Sequence, residues 1–432
     1  MYCRVALSIP TPVERFTLDN GLRVVLHRDT SLPLVAINIW YHVGSKNESP
    51  GLTGFAHLFE HMLFQGSQHV GTNDHFRWVQ QAGGVANGST WFDRTNYYET
   101  LPSNWLDLGL WLESDRMGFL LPAMDLEKLE NQRSVVINER RQTVDNQPYG
   151  RAFERLHELL YPASHPYHWP VIGYVEDIEA ATLEDVTSFF ETYYVPNNAV
   201  LSVVGDISID SARSRIEHWF GDIASGAEIR SIEVPAPTIE SPKLEIMPDQ
   251  VELARIYMAY SLPAYGELDW YAADLLSAIL SGGKSSLLHE ELVYSQQIAT
   301  DISSFVMPTE LSSTFYVVAT ARPETKPEDL EKAILDRLAA IAASGVSSTA
   351  LTRSKNKIVT AYRDELQKLD QLADLLSMFT TYFDDPGLVD REVELYSELG
   401  SAEISELIST HLQPDRRITL FVVPDSNHRA DR

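Results

Sequence analysis

The stretch Gly54–Gly66 constrains the fold and the chemistry of this chain more than any other. Its apolar side chains recur at the spacing of one buried helix face: Phe55, Leu58, Phe59 and Met62. That spacing predicts an amphipathic helix packed against a core. The other side of the same helix carries His57, Glu60 and His61, three side chains that can bind a metal ion or move a proton.

The order of these polar residues, His-x-x-Glu-His, is that of an inverted zinc-peptidase helix. His57 and His61 are about one helical turn apart, so both imidazoles can reach one ion, while Glu60 beside them can hold a water molecule. The alternative is a solvated helix face that carries these residues by chance. The apolar helix argues against it, because polar residues on its second face would be partly buried and would need strong partners. Gly54 and Gly66 flank the pattern as helix breakers.

Length and composition limit the number of domains, the kinds of partner and the cellular location that this chain can have. A chain of 432 residues with 44% apolar residues predicts two or more domains with large cores. The net charge of −27 argues against binding to nucleic acid or to an anionic membrane. The single cysteine, Cys3, excludes an intrachain disulfide and a multi-cysteine metal site. The segment Met1–Pro12 has no useful basic region and is broken by prolines, so we predict no signal peptide or membrane span and expect a cytoplasmic location.

Strand patterns lie on both sides of the predicted helix. Two short β-prone runs around Asn20-Gly21 predict a hairpin, and Val35–Val43 predicts a buried strand that leads into the helix. After the helix, Val85–Asp93 and Thr95–Leu101 are β-rich, and the first is polar and glycine-containing, as in an edge strand. An extended peptide could add to such an edge through main-chain hydrogen bonds, although an ordinary hairpin with a mobile tip fits equally well. The candidates for holding a peptide backbone are Asn87, Gly88, Ser89 and Thr90.

A catalytic zinc ion takes three protein ligands and keeps one position open, so a third ligand has to come from outside this helix. The His-x-x-Glu-His motif, followed by Glu139 at 78 residues after the last histidine, resembles the pitrilysin, insulin-degrading enzyme and mitochondrial processing peptidase family. In that family the third ligand is a glutamate at about this distance. The resemblance implies that Glu139 is the ligand here, with Asp93 and Glu130 as poorer candidates.

Many members of that family place a second glutamate seven residues before the ligand, where two helical turns return it to nearly the same face. This chain has Gln132 at that position. Gln132 can hydrogen-bond behind the ligands but cannot carry charge, so we expect only a supporting role. An ordinary solvated helix residue is an equal alternative. Glu130, nine residues before Glu139, would face the opposite side of the helix.

The resemblance extends over essentially the whole first half of the chain. The matching segments are Asn146–Gly150, His165–Tyr167, Ile172–Gly173, Leu183–Asp185 and Tyr193–Asp206. Residues 224–245 contain several prolines and predict a linker. Beyond it, residues 401–425 repeat the order of helix, proline and apolar strand found in residues 182–206, which implies two similar halves.

We therefore predict an α+β protein of two homologous halves, residues 1–223 and 246–432, each a mostly antiparallel sheet flanked by helices. The position of the metal helix in the second half is taken by Trp270–Leu280, which contains no histidine. Only the first half is expected to bind the ion.

The second half departs from the family at one pair of positions. Relatives that work as a single chain carry an arginine and, seven residues later, a tyrosine that bind the substrate carbonyl. Here those positions hold Val293 and Thr300. Because some family members divide the work between two chains, the resemblance implies a heterodimer in which a homologous partner chain supplies the arginine and the tyrosine.

The resemblance and the motif together predict a zinc-dependent endopeptidase that hydrolyses peptides or unfolded segments, with Glu60 as general base. Zinc is inferred from the ligand types, and manganese or cobalt are alternatives. A non-catalytic structural subunit of the same fold is the competing prediction, and a metal hydrolase for other substrates is a third.

Overall fold

A computed structural model describes residues 12–425, in which the chain forms two compact units. The first unit contains the residues up to 138, 169–231 and 363–392, and the second contains 139–168, 232–362 and the residues from 393 onward. Cys3 and the other residues before Pro12 lie outside the described residues.

The helices and strands of the described residues are numbered here in chain order. The strands are β1 Val13–Thr17, β2 Arg23–Arg28, β3 Leu34–Tyr41, β4 Val85–Thr90, β5 Thr95–Pro102, β6 Ala199–Gly205, β7 Lys243–Asp249, β8 Arg255–Leu262, β9 Ala299–Val306, β10 Ser313–Ala321 and β11 Ile418–Pro424. The α-helices are α1 Phe55–Met62, α2 Asp74–Gln81, α3 Leu106–Phe119, α4 Leu126–Arg140, α5 Ala152–Leu160, α6 Val175–Ala180, α7 Leu183–Tyr193, α8 Ile209–Phe220, α9 Leu268–Ser281, α10 Pro327–Ser344, α11 Ser348–Glu365, α12 Leu369–Phe383, α13 Leu388–Glu398 and α14 Ser401–His411.

A six-stranded sheet in the order β1-β2-β6-β3-β5-β4 forms the centre of the first unit. The predicted hairpin is the antiparallel pair β1 and β2, and its turn places Gly21 at a φ of 89°, where glycine carries no steric penalty. β2 runs parallel to β6, and the remaining neighbours are antiparallel. The central strands β3 and β6 are buried along almost their whole length. Within the described residues β4 pairs only with β5, so the predicted edge strand is confirmed.

The second unit contains a five-stranded sheet in the order β7-β11-β8-β10-β9. β7 runs parallel to β11, and the other neighbours are antiparallel. This order and these directions repeat those of β2-β6-β3-β5-β4 in the first sheet. α9 follows β8 as α1 follows β3. The prediction of an α+β protein with two mostly antiparallel sheets is confirmed.

The compact units do not coincide with the predicted halves of the sequence. α12 comes from the second half but packs on β6 and β3 of the first sheet, while α5 comes from the first half and packs on β11 and β8 of the second sheet. Each of these helices buries an apolar face on a sheet that is distant in sequence, which local patterning does not encode. The predicted linker, residues 224–245, has no helix or strand until β7 begins at Lys243. The common origin of the two halves stays a prediction, which the repeated strand order supports.

No single helix in residues 12–425 combines the length and the apolar composition needed to cross a membrane. The pair α10 and α11 meets those criteria only when taken together, and it is bent by 107° at the break.

Candidate metal centre and active site

α1 is held in one orientation by its apolar face. Its four predicted core residues are at most 2% exposed. The ring of Phe59 lies 5.3 Å from the ring centroids of both Phe189 and Tyr194. Displacing these rings would open a cavity in a close-packed core. The packing confirms the predicted helix and fixes the direction in which its polar face points.

The polar face of α1 brings the two histidines together. The ring centroids of His57 and His61 lie 4.8 Å apart, with an angle of 84° between the rings. Glu139 approaches them from the end of α4, and one possible ligand atom from each of the three residues lies within 4.8 Å of the others. The boundary between the compact units falls between Asn138 and Glu139. α4 is continuous across this boundary and ends at Arg140. The structure thus places together the three residues that the family resemblance assigned to the metal.

The two weaker candidates for the third ligand are engaged elsewhere. Asp93 is fully buried, with Oδ1 at 3.3 Å from the ammonium group of Lys46. Glu130 is mostly exposed and pairs with Arg133 at 2.7 Å. Gln132 is only 4% exposed, which excludes the alternative of a solvated helix residue.

Glu48 caps α1, the helix that carries His57 and His61, a role that was not predicted from the sequence. The residue at the N-cap position, Gly54, has no side chain to accept the free N–H groups of the first turn. Glu48 replaces that cap from a distance, because its two carboxylate oxygens accept the N–H groups of Gly54 and Ala56 at 2.9 and 2.8 Å. Burial raises the pKa of Glu48, and these two backbone donors act in the opposite direction. A helix that begins at glycine and has a carboxylate a few residues upstream is the sequence signal for such a cap.

The four candidates for holding a peptide backbone lie on β4 and alternate between its two faces. Gly88 and Thr90 face α1, and the hydroxyl of Thr90 donates a hydrogen bond to Glu60 Oε2 at 2.6 Å. Ser89 faces the other way, where its hydroxyl donates to Asn96 Oδ1 at 2.6 Å. Asn87 accepts the N–H of Gly88 at 2.9 Å. The side chain of Thr90 therefore contacts the proposed general base.

A second polar cluster is buried between α2, β5 and α3 in the first unit. His75, Glu99 and Glu113 bring possible ligand atoms within 4.8 Å of one another. Arg116 already supplies positive charge there, since its Nε donates to Glu113 Oε2 at 2.8 Å. Burial raises the pKa of Glu99 and of Glu113 to about 7, and Arg116 opposes both shifts. Because Arg116 donates hydrogen bonds directly to Glu113, we assign the proton of this pair to Glu99.

Glu99→Gln is expected to stabilise the protein at and above neutral pH and to change little near pH 4.5. The folded protein keeps a proton on Glu99 up to about pH 7, whereas the unfolded chain releases it near its ordinary pKa of about 4.3. Stability therefore falls as the pH rises through this window, and glutamine removes that loss. The difference between variant and wild type should reach on the order of 3 kcal/mol above pH 7.

Urea denaturation at several pH values between about 5 and 8 measures this difference. Burial lowers the pKa of His75 to about 3, so stability falls as the pH drops below the ordinary pKa of histidine. This dependence is expected in both the wild type and Glu99→Gln. The exposed Glu130→Gln is the control and should show a flat difference. A flat difference for Glu99→Gln would mean that Glu99 is ionised in the folded protein.

In the second unit, the positions of the missing arginine and tyrosine contain neither group. Val293 is buried in the helical turn His289–Ser295, and Thr300 is an exposed residue near the start of β9. Val293 has no polar atom in its side chain, and the hydroxyl of Thr300 donates to Asp301 Oδ2 at 3.0 Å.

The sequence and the fold identify the class to which this chain belongs. Residues 23–167 match the family described as Insulinase (Peptidase family M16), and residues 180–358 match the family described as Peptidase M16 inactive domain. The chain is 30% identical over 421 residues to the Zinc protease PqqE of Helicobacter pylori, an overlap of 95% of this chain and 93% of that protein. The chain belongs to peptidase family M16, and the predicted resemblance is confirmed.

Two further relatives agree with this assignment. The crystal structure of a protease from Helicobacter pylori superimposes with a TM-score of 0.90 at 29% identity, covering 96% of this chain and 100% of that one. The probable mitochondrial-processing peptidase subunit beta of Arabidopsis thaliana is 24% identical over 79% of this chain and 65% of that protein. Relatives of this chain therefore include proteins named as zinc proteases and one named as a subunit of a peptidase.

Proposed function

We propose that this chain is a zinc-dependent endopeptidase for peptides or unfolded segments, and that it works as the zinc-binding member of a heterodimer. The observation that carries the proposal is that possible ligand atoms of His57, His61 and Glu139 lie within 4.8 Å of one another. Glu60 lies beside them, on the same helix as the two histidines. A structural scaffold has no need for this combination of ligands and base.

The donor set fits zinc. Two imidazole nitrogens and one carboxylate oxygen are the protein ligands of a typical catalytic zinc site, which keeps its fourth position open. When bound there, zinc would polarise the scissile carbonyl and lower the pKa of water toward ~7. Manganese and cobalt accept similar ligands. Gln132, buried on α4, would support the ligands without adding charge.

The remaining chemistry is assigned to the residues of the chain. Glu60 would accept the proton of the attacking water and return it to the leaving amine, so that the C–N bond breaks with no net gain of protons. The free edge of β4 would hold the peptide as an added strand through the main chain of Asn87–Thr90. The net charge of −27 favours basic or neutral peptides if the active cavity shares its sign.

The partner chain is proposed because Val293 and Thr300 occupy the positions of the expected arginine and tyrosine. Stabilising the negative charge on the carbonyl oxygen during hydrolysis requires hydrogen-bond donors, and neither residue offers the expected arginine or tyrosine. A homologous chain that carries both would complete the site. The relative named as a peptidase subunit beta is consistent with such a division. The cytoplasmic location stays a prediction.

The test measures hydrolysis of an unstructured, mildly basic reporter peptide by the zinc-loaded chain, alone and mixed with a homologous chain that carries the arginine and tyrosine. We expect turnover only with the second chain, and loss of turnover in chelator. Metal-dependent turnover by the chain alone would refute the partner requirement but support the peptidase. Absence of turnover both by the chain alone and by the mixture, with zinc bound, would contradict the proposed peptidase activity.

A non-catalytic structural subunit remains the second candidate. The observation that favours it is the loss of the arginine and tyrosine positions in a half that matches the M16 inactive domain. Metal content separates the two candidates, because a scaffold subunit predicts no stoichiometric zinc on His57, His61 and Glu139.

A further inference from the structure

β4 contacts the general base as well as forming the open edge of the first sheet. Residues two apart on a strand share one face, and in β4 these are Gly88 and Thr90 on the side of α1. Thr90 donates its hydroxyl to Glu60 Oε2 at 2.6 Å. A hydrogen bond of this length to a carboxylate is in the strong, charge-assisted range.

Gly88 leaves the space that the stem of Glu60 occupies. A Cβ atom on Gly88 would lie 3.2 Å from Glu60 Cγ and 3.1 Å from the ring of Phe64. Either contact is tighter than normal packing, so a larger residue at position 88 would push Glu60 or Phe64 aside. β4 therefore contacts Glu60 at two places: Gly88 packs against its Cγ atom, and Thr90 hydrogen-bonds its carboxylate.

From this geometry we propose that Thr90 is a positioning residue for Glu60, and that its side chain does not bind substrate. The inference rests on the proposed peptidase function. A fixed orientation is what a base needs when it must meet a water molecule within about 3 Å. A peptide that pairs with β4 would order the same strand that holds the base, so docking and positioning are linked.

The two possible roles of Thr90 predict different kinetics. Binding of substrate through the main chain of β4 does not depend on the hydroxyl, so removing the hydroxyl should leave KM nearly unchanged. Loss of orientation at Glu60 acts on the chemical step and lowers kcat. Direct binding of substrate by the hydroxyl would instead raise KM.

The experiment compares Thr90→Val, which keeps the shape of threonine and loses the donor, with Thr90→Ser, which keeps the donor. Both are assayed with the reporter peptide under conditions where the wild type turns over. We expect Thr90→Val to lower kcat by roughly 10- to 100-fold with KM within about twofold, because small misplacements of a reacting group have effects of this size. Thr90→Ser should restore kcat to within about threefold of the wild type. Zinc content should be unchanged in both variants.

A kcat of Thr90→Val close to that of the wild type would overturn the inference, as would a loss carried by KM. If Thr90→Val is poorly soluble, Thr90→Ala gives a second removal of the hydroxyl against the same serine control. Adding Thr90→Val to Glu60→Gln should cause no further loss, since the residue to be oriented is already disabled. Full activity of Glu60→Gln would refute Glu60 as the general base of the proposed reaction, whereas an inactive Glu60→Gln with a fully active Thr90→Val would refute only the role of Thr90.

Discussion

Glu60→Gln is expected to retain zinc and to lose turnover by roughly 10²- to 10⁴-fold, the usual contribution of a general acid–base group. Glu60 lies between His57 and His61 in sequence but is not one of the three residues whose ligand atoms converge. The neutral amide of the substituted glutamine cannot accept a proton from water, so the chemical step fails. The size of glutamine matches that of glutamate, and the contact with Thr90 can be kept through the amide oxygen.

The measurement pairs steady-state hydrolysis with the zinc content of the same preparation. Glu130→Gln is a matched control, because it removes a carboxylate from an exposed position on α4 and should leave both readings unchanged. Turnover by Glu60→Gln at a rate near that of the wild type would show that another group is the base. Loss of zinc in the variant would instead place Glu60 among the ligands.

The parts of the fold that follow from local patterning could be predicted from the sequence. The apolar spacing in Gly54–Gly66 predicted α1, and the Asn20-Gly21 turn predicted the first hairpin. The polar run at Val85–Asp93 predicted an edge strand because unpaired edges tolerate polar residues and glycine. Each of these signals depends on residues within one element, where period and turn chemistry carry the information.

Features that depend on contacts between distant segments could not be predicted in this way. The apolar face of α12 shows that the helix is covered, but it does not say which sheet covers it. Glu48 is one carboxylate among many until the cap of α1 is seen. The buried pair of Glu99 and Glu113 is likewise visible only when β5 and α3 are placed side by side.

The candidate site shows both situations. His57, Glu60 and His61 could be predicted from one helix, because their spacing brings them to one face. Glu139 required the family resemblance, since nothing local distinguishes it from Glu130 on the same helix. The contact of Thr90 with Glu60 could not be predicted from the edge-strand pattern of β4, which indicates docking through the main chain only. The alternation of side chains along a strand was the signal that could have raised the question.

Glu139→Ala is expected to weaken zinc binding by more than ~100-fold. Substitutions of groups that only support ligands typically cost 10- to 100-fold in metal affinity, and the proposed role of Glu139 is a direct one. The substitution also removes the single negative charge among the three ligands, which leaves two neutral imidazoles to hold a dication. Because Glu139 is only partly buried and lies near the end of α4, the fold should survive the change.

Zinc affinity is measured by competition with a chelator of known affinity, and circular dichroism checks the fold. Glu130→Ala is the matched control: it lies on the same helix, is exposed, and faces away from the histidines. We expect wild-type affinity for Glu130→Ala and loss of stoichiometric zinc for Glu139→Ala, together with loss of hydrolysis. An unchanged zinc affinity in Glu139→Ala would show that the ion takes its third ligand from another residue, and the assignment of Glu139 to the site would then fail even if His57 and His61 bind the metal.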